Sequence, residues 1–294
     1  MLFRRLAPFL FRSLAPSQTR YTEPVTPSES LAGKSVLVTG GARRLGRAIA
    51  LTLARAGADV AVSYRASKTE AAETAAVIAA LGRRSLAVAC DVRSEPSVRA
   101  AISQVIAAFG RLDILVNNAA VFGSAALESL TLDQWDAVFE TNARGPFLVA
   151  REALPHLRAA KGRIINMGSL GGLHAWAGHA HYCASKAALH MLTQAMAKAF
   201  APDVSVNCVA PGWIALQEKN SNDTSSDQES GAHDPSRTEA ERRAELQAAR
   251  FAAKTPMGRN GDADDVAQAV LFFATGPHFI TGQTLVVDGG LGLS

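Results

Sequence analysis

The chain has 294 residues, of which 48% are hydrophobic and 19% are charged, a composition typical of a globular protein with one large core. The formal net charge is +4, but Arg4, Arg5, Arg12 and Arg20 lie in an acid-free segment at the N-terminus. Without these four, basic and acidic residues balance at 26 each, so nothing in the rest of the chain indicates a nucleic-acid surface. Three cysteines favour a reducing compartment over a disulfide framework, and no apolar run reaches the ~18 residues of a membrane span.

The N-terminal segment 1–20 is rich in Arg, Leu and Phe, and two prolines interrupt it. This composition is typical of a mitochondrial transit segment; a disordered tail or an incorrectly assigned start codon are the alternatives, and both leave a cytoplasmic protein. The next residues, Tyr21–Leu31, have the composition of a linker. We therefore expect an N-terminal extension over residues 1–32 and a single domain over 33–294.

The segment Ser35–Ser67 predicts a strand–loop–helix–strand unit. Val36–Val38 is an apolar β-branched run, Gly40 and Gly46 lie in the following turn, and a helix is predicted from Arg47. Glycines in such a turn let the backbone approach a pyrophosphate, and the helix N-terminus supplies free N–H groups. An isolated glycine pattern is equally typical of a turn that requires a positive φ, but strand and helix on both sides favour a dinucleotide site.

Predicted strands and helices alternate along the rest of the chain. The strands are predicted at Ser85–Val92, Leu112–Ala119, Arg163–Met167, Val204–Val209 and Thr284–Asp288. The helices are predicted at Thr69–Leu81, Ser94–Phe109, Thr131–Leu157 with a bend near Gly145, Tyr182–Ala201, Glu239–Ala253, and from Asp262 onwards. This alternation predicts an α/β fold of one domain, a doubly wound parallel sheet of the Rossmann type with ligands at the carboxyl ends of the strands.

The segment 217–240 departs from this alternation, because it contains almost no large apolar residue and is crowded with Ser, Asn, Asp and Glu. It cannot bury much surface, so we interpret it as a polar insertion in the domain. The insertion begins just after Pro211–Ile214, and it either covers a pocket or is a tolerated surface loop.

Tyr182 and Lys186 carry the pattern most suggestive of chemistry. They are four residues apart on a predicted helix and therefore share one face. The ordinary pKa of a phenol is about 10, and a nearby ammonium lowers it towards the range in which the phenol is a useful acid or base. Ser169 follows the fifth predicted strand, where a loop can fold back onto the tyrosine. A surface Tyr–Lys pair is the alternative interpretation, and the dinucleotide turn argues against it.

These motifs together resemble the short-chain dehydrogenase/reductase family, from about Gly33 to the C-terminus apart from the insertion. The matching residues are Thr39, Gly40, Gly46, Asp91, Asn117–Ala120, Asn142, Ser169, Tyr182, Lys186, Pro211 and Gly212. The resemblance implies that Tyr182 donates a proton to the substrate oxygen as hydride arrives from the nicotinamide. It implies that Lys186 binds the nicotinamide ribose and lowers the tyrosine pKa, and that Ser169 hydrogen-bonds the substrate oxygen.

The same resemblance assigns the other site residues. Asn142 is expected to hold a water in a proton relay to Lys186, Asp91 to contact the adenine, and Phe122, Ser169 and Trp213 to contact substrate. The residues expected to bind the cofactor are Gly40, Arg43, Arg44, Leu45, Gly46, Arg65, Ser67, Asp91, Asn118, Tyr182, Lys186, Pro211, Gly212 and Ile214. Relatives often assemble into dimers or tetramers, so we also expect a homo-oligomer.

The end of the second predicted strand indicates which cofactor is preferred. Folds that bind NAD place a carboxylate there to bind the ribose 2′-hydroxyl. The residues 63–67 read SYRAS and contain no acid, whereas Arg65 and Ser67 suit a 2′-phosphate. We therefore expect NADPH to be the preferred cofactor and the enzyme to work in the direction of substrate reduction.

Two positions leave the substrate open. Arg44 stands where the family usually has a glycine, and pteridine reductases resemble the chain there and at Phe122, which in those enzymes stacks on the pterin. Ser169 and Ala120 instead depart from the parasite pteridine reductases, which have Asp and Ser there. The first hypothesis is therefore an NADPH-dependent carbonyl reductase for a 3-oxoacyl thioester or similar small ketone. The alternatives are a reductase of dihydropterin or dihydrofolate, and a non-catalytic NADPH sensor, which would not need the Ser–Tyr–Lys–Asn set.

Three histidines, His174, His179 and His181, lie close together in the predicted loop before Tyr182. No cluster of carboxylates or cysteines accompanies them, so we expect no metal site.

Overall fold

The structure, a computed structural model, describes residues 30–215 and 239–293. The segment 1–20, most of the predicted linker and nearly all of the segment 217–240 lie outside the described residues. The last two residues of that segment, Glu239 and Ala240, belong to a helix instead. In the parts that the structure describes, no helix has the length and apolarity needed to cross a membrane.

The described residues form one parallel sheet covered by helices, which confirms the predicted fold class. The strands are β1 (Ser35–Val38), β2 (Asp59–Tyr64), β3 (Ser85–Ala89), β4 (Ile114–Asn117), β5 (Arg163–Met167), β6 (Ser205–Pro211) and β7 (Thr284–Val287). The helices are α1 (Arg44–Arg55), α2 (Lys68–Ala80), α3 (Glu95–Phe109), α4 (Leu132–Phe139), α5 (Gly145–Ala160), α6 (Ala180–Phe200), α7 (Glu239–Lys254) and α8 (Ala263–Thr275).

The strand order is β3-β2-β1-β4-β5-β6-β7. Successive strands are therefore added on one side of β1 up to β3 and on its other side from β4 onwards. Val36 pairs with Val60 of β2 on one side and with Ile114 of β4 on the other. Alternate residues of β1 face opposite layers: Val36 and Val38 pack with α1 and α8, whereas Leu37 packs with α3 and α5. A crevice at the carboxyl ends of β1 and β4 is the usual ligand position in such a sheet.

Several predicted boundaries were wrong by two or three residues. β3 ends at Ala89 rather than Val92, and β4 covers only Ile114–Asn117, because strand pairing stops where the chain turns into the crevice. The helix α1 begins at Arg44, three residues before the predicted start, since Gly46 lies inside its first turn. Glycine is needed at that position for close packing rather than for ending the loop.

The predicted bend near Gly145 is present and has an identifiable cause. One turn of π-helix, Glu140–Arg144, separates α4 from α5. A side chain at Gly145 would place its Cβ 2.8 Å from Val92, so only glycine lets the bent helix pass this close. Turns of π-helix recur at functional sites, and this one carries Asn142.

Leu31 was assigned to the linker but lies in the core. Its side chain is buried beside α1, and its N–H donates to the carbonyl of Ala56 over 2.8 Å. The apolar side chain at the end of a mostly polar segment was the available signal for this position.

Candidate active site

A cavity of about 410 Å³ lies at the carboxyl ends of β1, β2, β3 and β4. Nine of the residues predicted to bind the cofactor line it: Gly40, Arg43, Arg44, Leu45, Gly46, Arg65, Ser67, Asp91 and Asn118. The other five, Tyr182, Lys186, Pro211, Gly212 and Ile214, are not among its lining residues. The cavity thus corresponds to the part of the crevice predicted to hold the phosphates and adenosine.

The turn after β1 fits against β4 with no room for side chains. Gly40 has φ +62, and a Cβ there would lie 3.0 Å from the Cα of Ala119. At Gly46 a Cβ would collide with the carbonyl of Gly40 and lie 2.5 Å from the amide nitrogen of Asn118. This cradle leaves backbone N–H groups at the N-terminus of α1 open to a pyrophosphate.

Asn118 does more than line the crevice. Its side-chain amide donates to the carbonyls of Thr39 (2.9 Å) and Gly40 (3.1 Å). In return, the hydroxyl oxygen of Thr39 accepts the N–H groups of Asn118 and Ala119, both over 3.0 Å. These four hydrogen bonds fix the end of β1 to the end of β4, where the crevice opens.

Basic side chains dominate the adenosine end of the cavity. Asp91 is the one carboxylate among the described residues that line it, and Arg93 grips it with two nitrogens (2.7 and 2.9 Å). The Arg93 hydrogen bonds lower the pKa of Asp91 to about 2, and the charge of Arg65 acts in the same direction. Arg65 and Ser67, which follow β2, line this cavity together with Arg43, and such a set suits a 2′-phosphate better than a bare ribose.

Arg44 adopts a backbone conformation that favours glycine, with φ +52. A left-handed conformation costs an ordinary residue about 1–2 kcal/mol. This finding agrees with the prediction that Arg44 replaces a family glycine. Arg44 thus adopts a conformation that glycine takes without steric cost, and it is one of the residues that line the cavity.

A second group of predicted residues meets beside the cavity. Ser169 follows β5, while Tyr182 and Lys186 lie one turn apart on α6. The Ser169 hydroxyl oxygen accepts the N–H of Gly171 over 3.1 Å. The Ser169 side chain also lies close enough to the Tyr182 phenol to lower the pKa of that phenol by hydrogen bonding. The fold therefore brings together the two hydroxyls that were predicted to hold one substrate oxygen.

The predicted effect of Lys186 on Tyr182 was wrong for this structure. Burial raises the pKa of Tyr182 above its ordinary value, and the Ser169 hydrogen bond opposes that rise only partly. Lys186 is buried and donates to the carbonyl of Met167 over 2.7 Å, and burial lowers the pKa of this lysine to about 8. At neutral pH the phenol is protonated, which is the state that a proton donor requires.

Asn142 uses its side chain to hold the loop after β4. Its oxygen accepts the N–H of Val121, and its amide donates to the carbonyl of Val121, each over 2.9 Å. The second amide N–H donates to the hydroxyl of Ser185 over 3.1 Å. Both side-chain donors are thus engaged, so a water in the predicted relay would have to donate to the remaining lone pair of the Asn142 oxygen or use other atoms of this turn.

Aromatic rings surround the Tyr182 phenol. Phe122, predicted to contact substrate, is 62% exposed, and its ring meets that of Tyr182 edge to face at 4.8 Å. Trp176 lies nearly parallel to Tyr182 at 6.2 Å and packs on Gly171. Trp176 was not among the predicted site residues, although its position in the loop between Ser169 and Tyr182 was the available signal.

The predicted residues after β6 are placed differently. Trp213 stacks on Phe251 of α7, with the ring centroids 4.2 Å apart, and Trp213 is not among the residues that line the cavity. Gly212 donates to the carbonyl of Val287 on β7, and Ile214 bridges to Gly261. Pro211 ends β6. These contacts hold the segment to the edge of the sheet, and the predicted cofactor and substrate contacts remain predictions.

The three histidines serve separate contacts. His179 hydrogen-bonds the carbonyl of Gly123 over 2.8 Å, and His181 is buried against the same glycine. His174 lies beside Gly292 near the C-terminus. Across 30–215 and 239–293, no three His, Cys, Asp or Glu side chains cluster as metal ligands would.

Comparison with known proteins decides the family. A family model described as enoyl-(acyl carrier protein) reductase matches residues 40–292. The 3-oxoacyl-(acyl-carrier-protein) reductase FabG of Staphylococcus aureus is 36% identical over 261 residues, which is 88% of this chain and 98% of that protein. The chain belongs to the short-chain dehydrogenase/reductase family. It is an oxidoreductase, in agreement with the resemblance that the motifs carry.

Other members of the short-chain dehydrogenase/reductase family support this assignment. A 3-oxoacyl-(acyl-carrier-protein) reductase of Synechocystis is 35% identical over 89% of the chain and 98% of its own length. A short-chain dehydrogenase of Burkholderia cenocepacia solved in complex with NADP is 37% identical, with a TM-score of 0.76 over 90% of this chain and 99% of that one. A short-chain alcohol dehydrogenase structure from Sinorhizobium meliloti has a TM-score of 0.79 at 31% identity over 92% of this chain and all of its own.

Burial of Lys186 gives this reductase a testable pH dependence. In the unfolded chain a lysine has a pKa near 10.4, and burial lowers the folded value to about 8. The folded state therefore bears the full cost of the buried ammonium below pH 8, and stability is gained as pH rises from about 8 towards 10. We expect Lys186→Met to remove this gain, so that the wild type becomes more stable relative to the variant over that interval.

Urea unfolding of the cofactor-free protein at pH 7 and pH 9.5 measures the difference. Lys198→Met is the matched control, because Lys198 lies on the same helix but is exposed; its free energy of unfolding should stay at a constant offset from the wild type. If the free energy of unfolding of Lys186→Met also differs from the wild type by the same amount at both pH values, the lowered pKa of Lys186 is contradicted.

Proposed function

We propose that the enzyme reduces the carbonyl of a 3-oxoacyl thioester, or of a similar small ketone, to an alcohol. The observation that carries the proposal is the meeting of the Ser169 and Tyr182 side chains, with Lys186 one turn further along α6, at the carboxyl edge of the sheet beside the dinucleotide cavity. Two hydroxyls that converge on one point suit a carbonyl oxygen that gains a proton. The relatives in Staphylococcus and Synechocystis are named for 3-oxoacyl reduction.

The cofactor is NADP(H), and the residues present fit it. The glycine cradle at Gly40 and Gly46 suits a pyrophosphate, and Arg43, Arg65 and Ser67, which line the same cavity, would hold a 2′-phosphate. When bound, NADPH supplies the hydride that adds to the carbonyl carbon. A solved relative from a metagenomic library, 32% identical, is in complex with NADPH.

The residues of the chain would supply the rest of the reaction. Ser169 would donate a hydrogen bond to the substrate oxygen and fix its position. Tyr182, held protonated by its burial, would transfer the phenolic proton to that oxygen as negative charge develops there. Lys186 would move from the Met167 carbonyl to stabilise the resulting phenolate and hold the nicotinamide ribose. Solvent would then return a proton to Tyr182.

A specific observation favours a second candidate, reduction of a dihydropterin. Phe122 is an exposed ring fixed against Tyr182, and Arg44 brings a guanidinium to the cavity wall. A flat heterocycle that stacks on Phe122 would gain about 0.5–1.5 kcal/mol beyond area burial. We rank this candidate second because Ser169, rather than an acid, adjoins the phenol.

We also propose that the enzyme is a homo-oligomer, a dimer or a tetramer. The strand β7 is at the edge of the sheet, and it exposes Leu285 and Val286 on opposite faces, with Phe279 and Leu293 exposed nearby. Apolar edge strands of this kind are usually covered by a partner. Sedimentation of the full chain measures the assembly, and a monomer at micromolar concentration would contradict the proposal.

The preference for NADPH is expected to depend on Arg65. A charge-assisted contact between an arginine and a phosphate is worth about 1.5–3 kcal/mol, or some ten- to a hundredfold in kcat/KM. Arg65→Asp should reverse the preference, because the new carboxylate repels the 2′-phosphate and suits the 2′-hydroxyl of NADH. Arg83→Asp, outside the cavity, makes the same change of charge and should leave the preference intact. Equal kcat/KM for both cofactors in the wild type would overturn this account.

A substrate panel distinguishes the candidate reactions. NADPH oxidation is measured with an acetoacetyl thioester, a diketone, a crotonyl thioester and a dihydropterin, for wild type, Arg44→Gly and Phe122→Ala. We expect turnover of the thioester or diketone, with substrate preference unchanged in both variants. The glycine variant should fold normally, because the left-handed backbone suits it.

Two results would change the ranking. Efficient turnover of dihydropterin that both variants selectively lose would place the pterin first. Turnover of the crotonyl thioester alone would mean that a carbon–carbon double bond is reduced and would contradict carbonyl reduction.

A further inference from the structure

One buried histidine beneath the active site has no part in the reaction described above. His190 lies on α6, one turn beyond Lys186, and is only 7% exposed. Its Nε2 is 3.1 Å from the carbonyl oxygen of Ser169, and its Nδ1 is 3.2 Å from the hydroxyl of Thr284 on β7. The imidazole thus connects the loop after β5, the helix α6 and the edge strand.

The partners fix which nitrogen carries the proton. A carbonyl oxygen only accepts, so Nε2–H donates to Ser169, and Nδ1 then accepts from the Thr284 hydroxyl. Burial, together with the nearby charge of Lys186, lowers the pKa of His190, so the ring is neutral at pH 7. The Sγ of Cys208, 3.8 Å from Nδ1, is the remaining polar neighbour among the contacts described for this ring.

The chain on either side of Ser169 is shaped around this ring. A Cβ at Gly168 would lie 2.8 Å from Cε1 of His190, and a Cβ at Gly172 would lie 2.7 Å from its Cδ2. Two glycines therefore let the backbone close around the imidazole. The hydroxyl of Ser169 in turn accepts the N–H of Gly171, so both the carbonyl and the side chain of Ser169 have hydrogen-bond partners that hold them in place.

We propose that His190 is a positioning residue, which holds the Ser169 carbonyl against α6 and thereby sets the Ser169 hydroxyl against that of Tyr182. The helix α6 then positions both hydroxyls: it carries Tyr182 itself, and it holds Ser169 through His190. The proposal rests on the proposed carbonyl reduction for its kinetic consequences, but its structural consequence can be measured without turnover.

The first experiment compares His190→Met with His190→Gln. Methionine fills similar space without a donor, whereas the Gln amide nitrogen can replace Nε2–H. We expect kcat for acetoacetyl thioester to fall about 10- to 100-fold in the Met variant, as a misplaced catalytic group allows. The Gln variant should stay within about threefold of wild type, and the NADPH Kd should be unchanged in both. Equal loss in the Met and Gln variants would contradict positioning by hydrogen bond.

A double-mutant cycle separates positioning from general damage. If His190 acts through Ser169, Ser169→Ala combined with His190→Met should be no slower than Ser169→Ala alone. If the fold-reductions in kcat of the two single variants multiply in the double variant, the proposal is overturned. Thr193→Val is the matched control, because it removes a buried hydroxyl of the same helix that is hydrogen-bonded to Asn166. Any fold-reduction in kcat caused by Thr193→Val should multiply with the fold-reduction caused by Ser169→Ala.

A titration tests the same geometry without substrate. The Ser169 hydrogen bond lowers the pKa of Tyr182, so His190→Met should raise the phenol midpoint observed at 295 nm, while His190→Gln should not. The chain has three tyrosines, and Tyr182→Phe identifies the relevant transition. An unchanged midpoint in His190→Met would overturn the inference. If the wild type reduces no carbonyl but the midpoint shifts as expected, the proposed function fails and the positioning role stands.

Discussion

The hydrogen bonds between Asn118 and the turn after β1 are the constraint on which the rest of the site depends. They hold the ends of β1 and β4 together at the point where the chain reverses direction across the sheet. Gly40 and Gly46 let the turn after β1 pack closely against Asn118 and Ala119, since a side chain at either position would clash. The N-terminus of α1 therefore faces an open crevice. Every other site residue follows from this arrangement, since parallel strands bring all their carboxyl ends to the same edge.

Burial governs the protonation of Tyr182 and Lys186, the two residues proposed to act in the reaction. It raises the pKa of Tyr182, which keeps the phenol protonated, and it lowers the pKa of Lys186 to about 8. Both shifts disfavour charge in the same enclosed space. A bound substrate that develops negative charge on its oxygen would reverse this balance, since the phenolate and the ammonium then stabilise each other. The arrangement of Ser169, Tyr182 and Lys186 is thus suited to give up a proton during reduction.

The sequence predicted those features that depend on periodicity and on spacing along one element. The alternating strands and helices, the glycine turn and the shared face of Tyr182 and Lys186 are all local patterns, and the structure contains them. Contacts between distant segments could not be read in this way. The partners of Asn142 and of His190 lie on other elements, and the rise in the Tyr182 pKa depends on how far the folded chain buries the phenol.

The proposed reaction depends above all on the delivery of a proton from Tyr182 to a substrate oxygen. Single-turnover hydride transfer from NADPH to acetoacetyl thioester measures it, with NADPH binding followed by fluorescence in the same samples. Tyr182→Phe removes the proton and keeps the ring, so the transfer rate should fall about 10²- to 10⁴-fold while the NADPH Kd changes less than about threefold. A Tyr182→Phe enzyme that transfers hydride within about threefold of the wild-type rate would contradict the account.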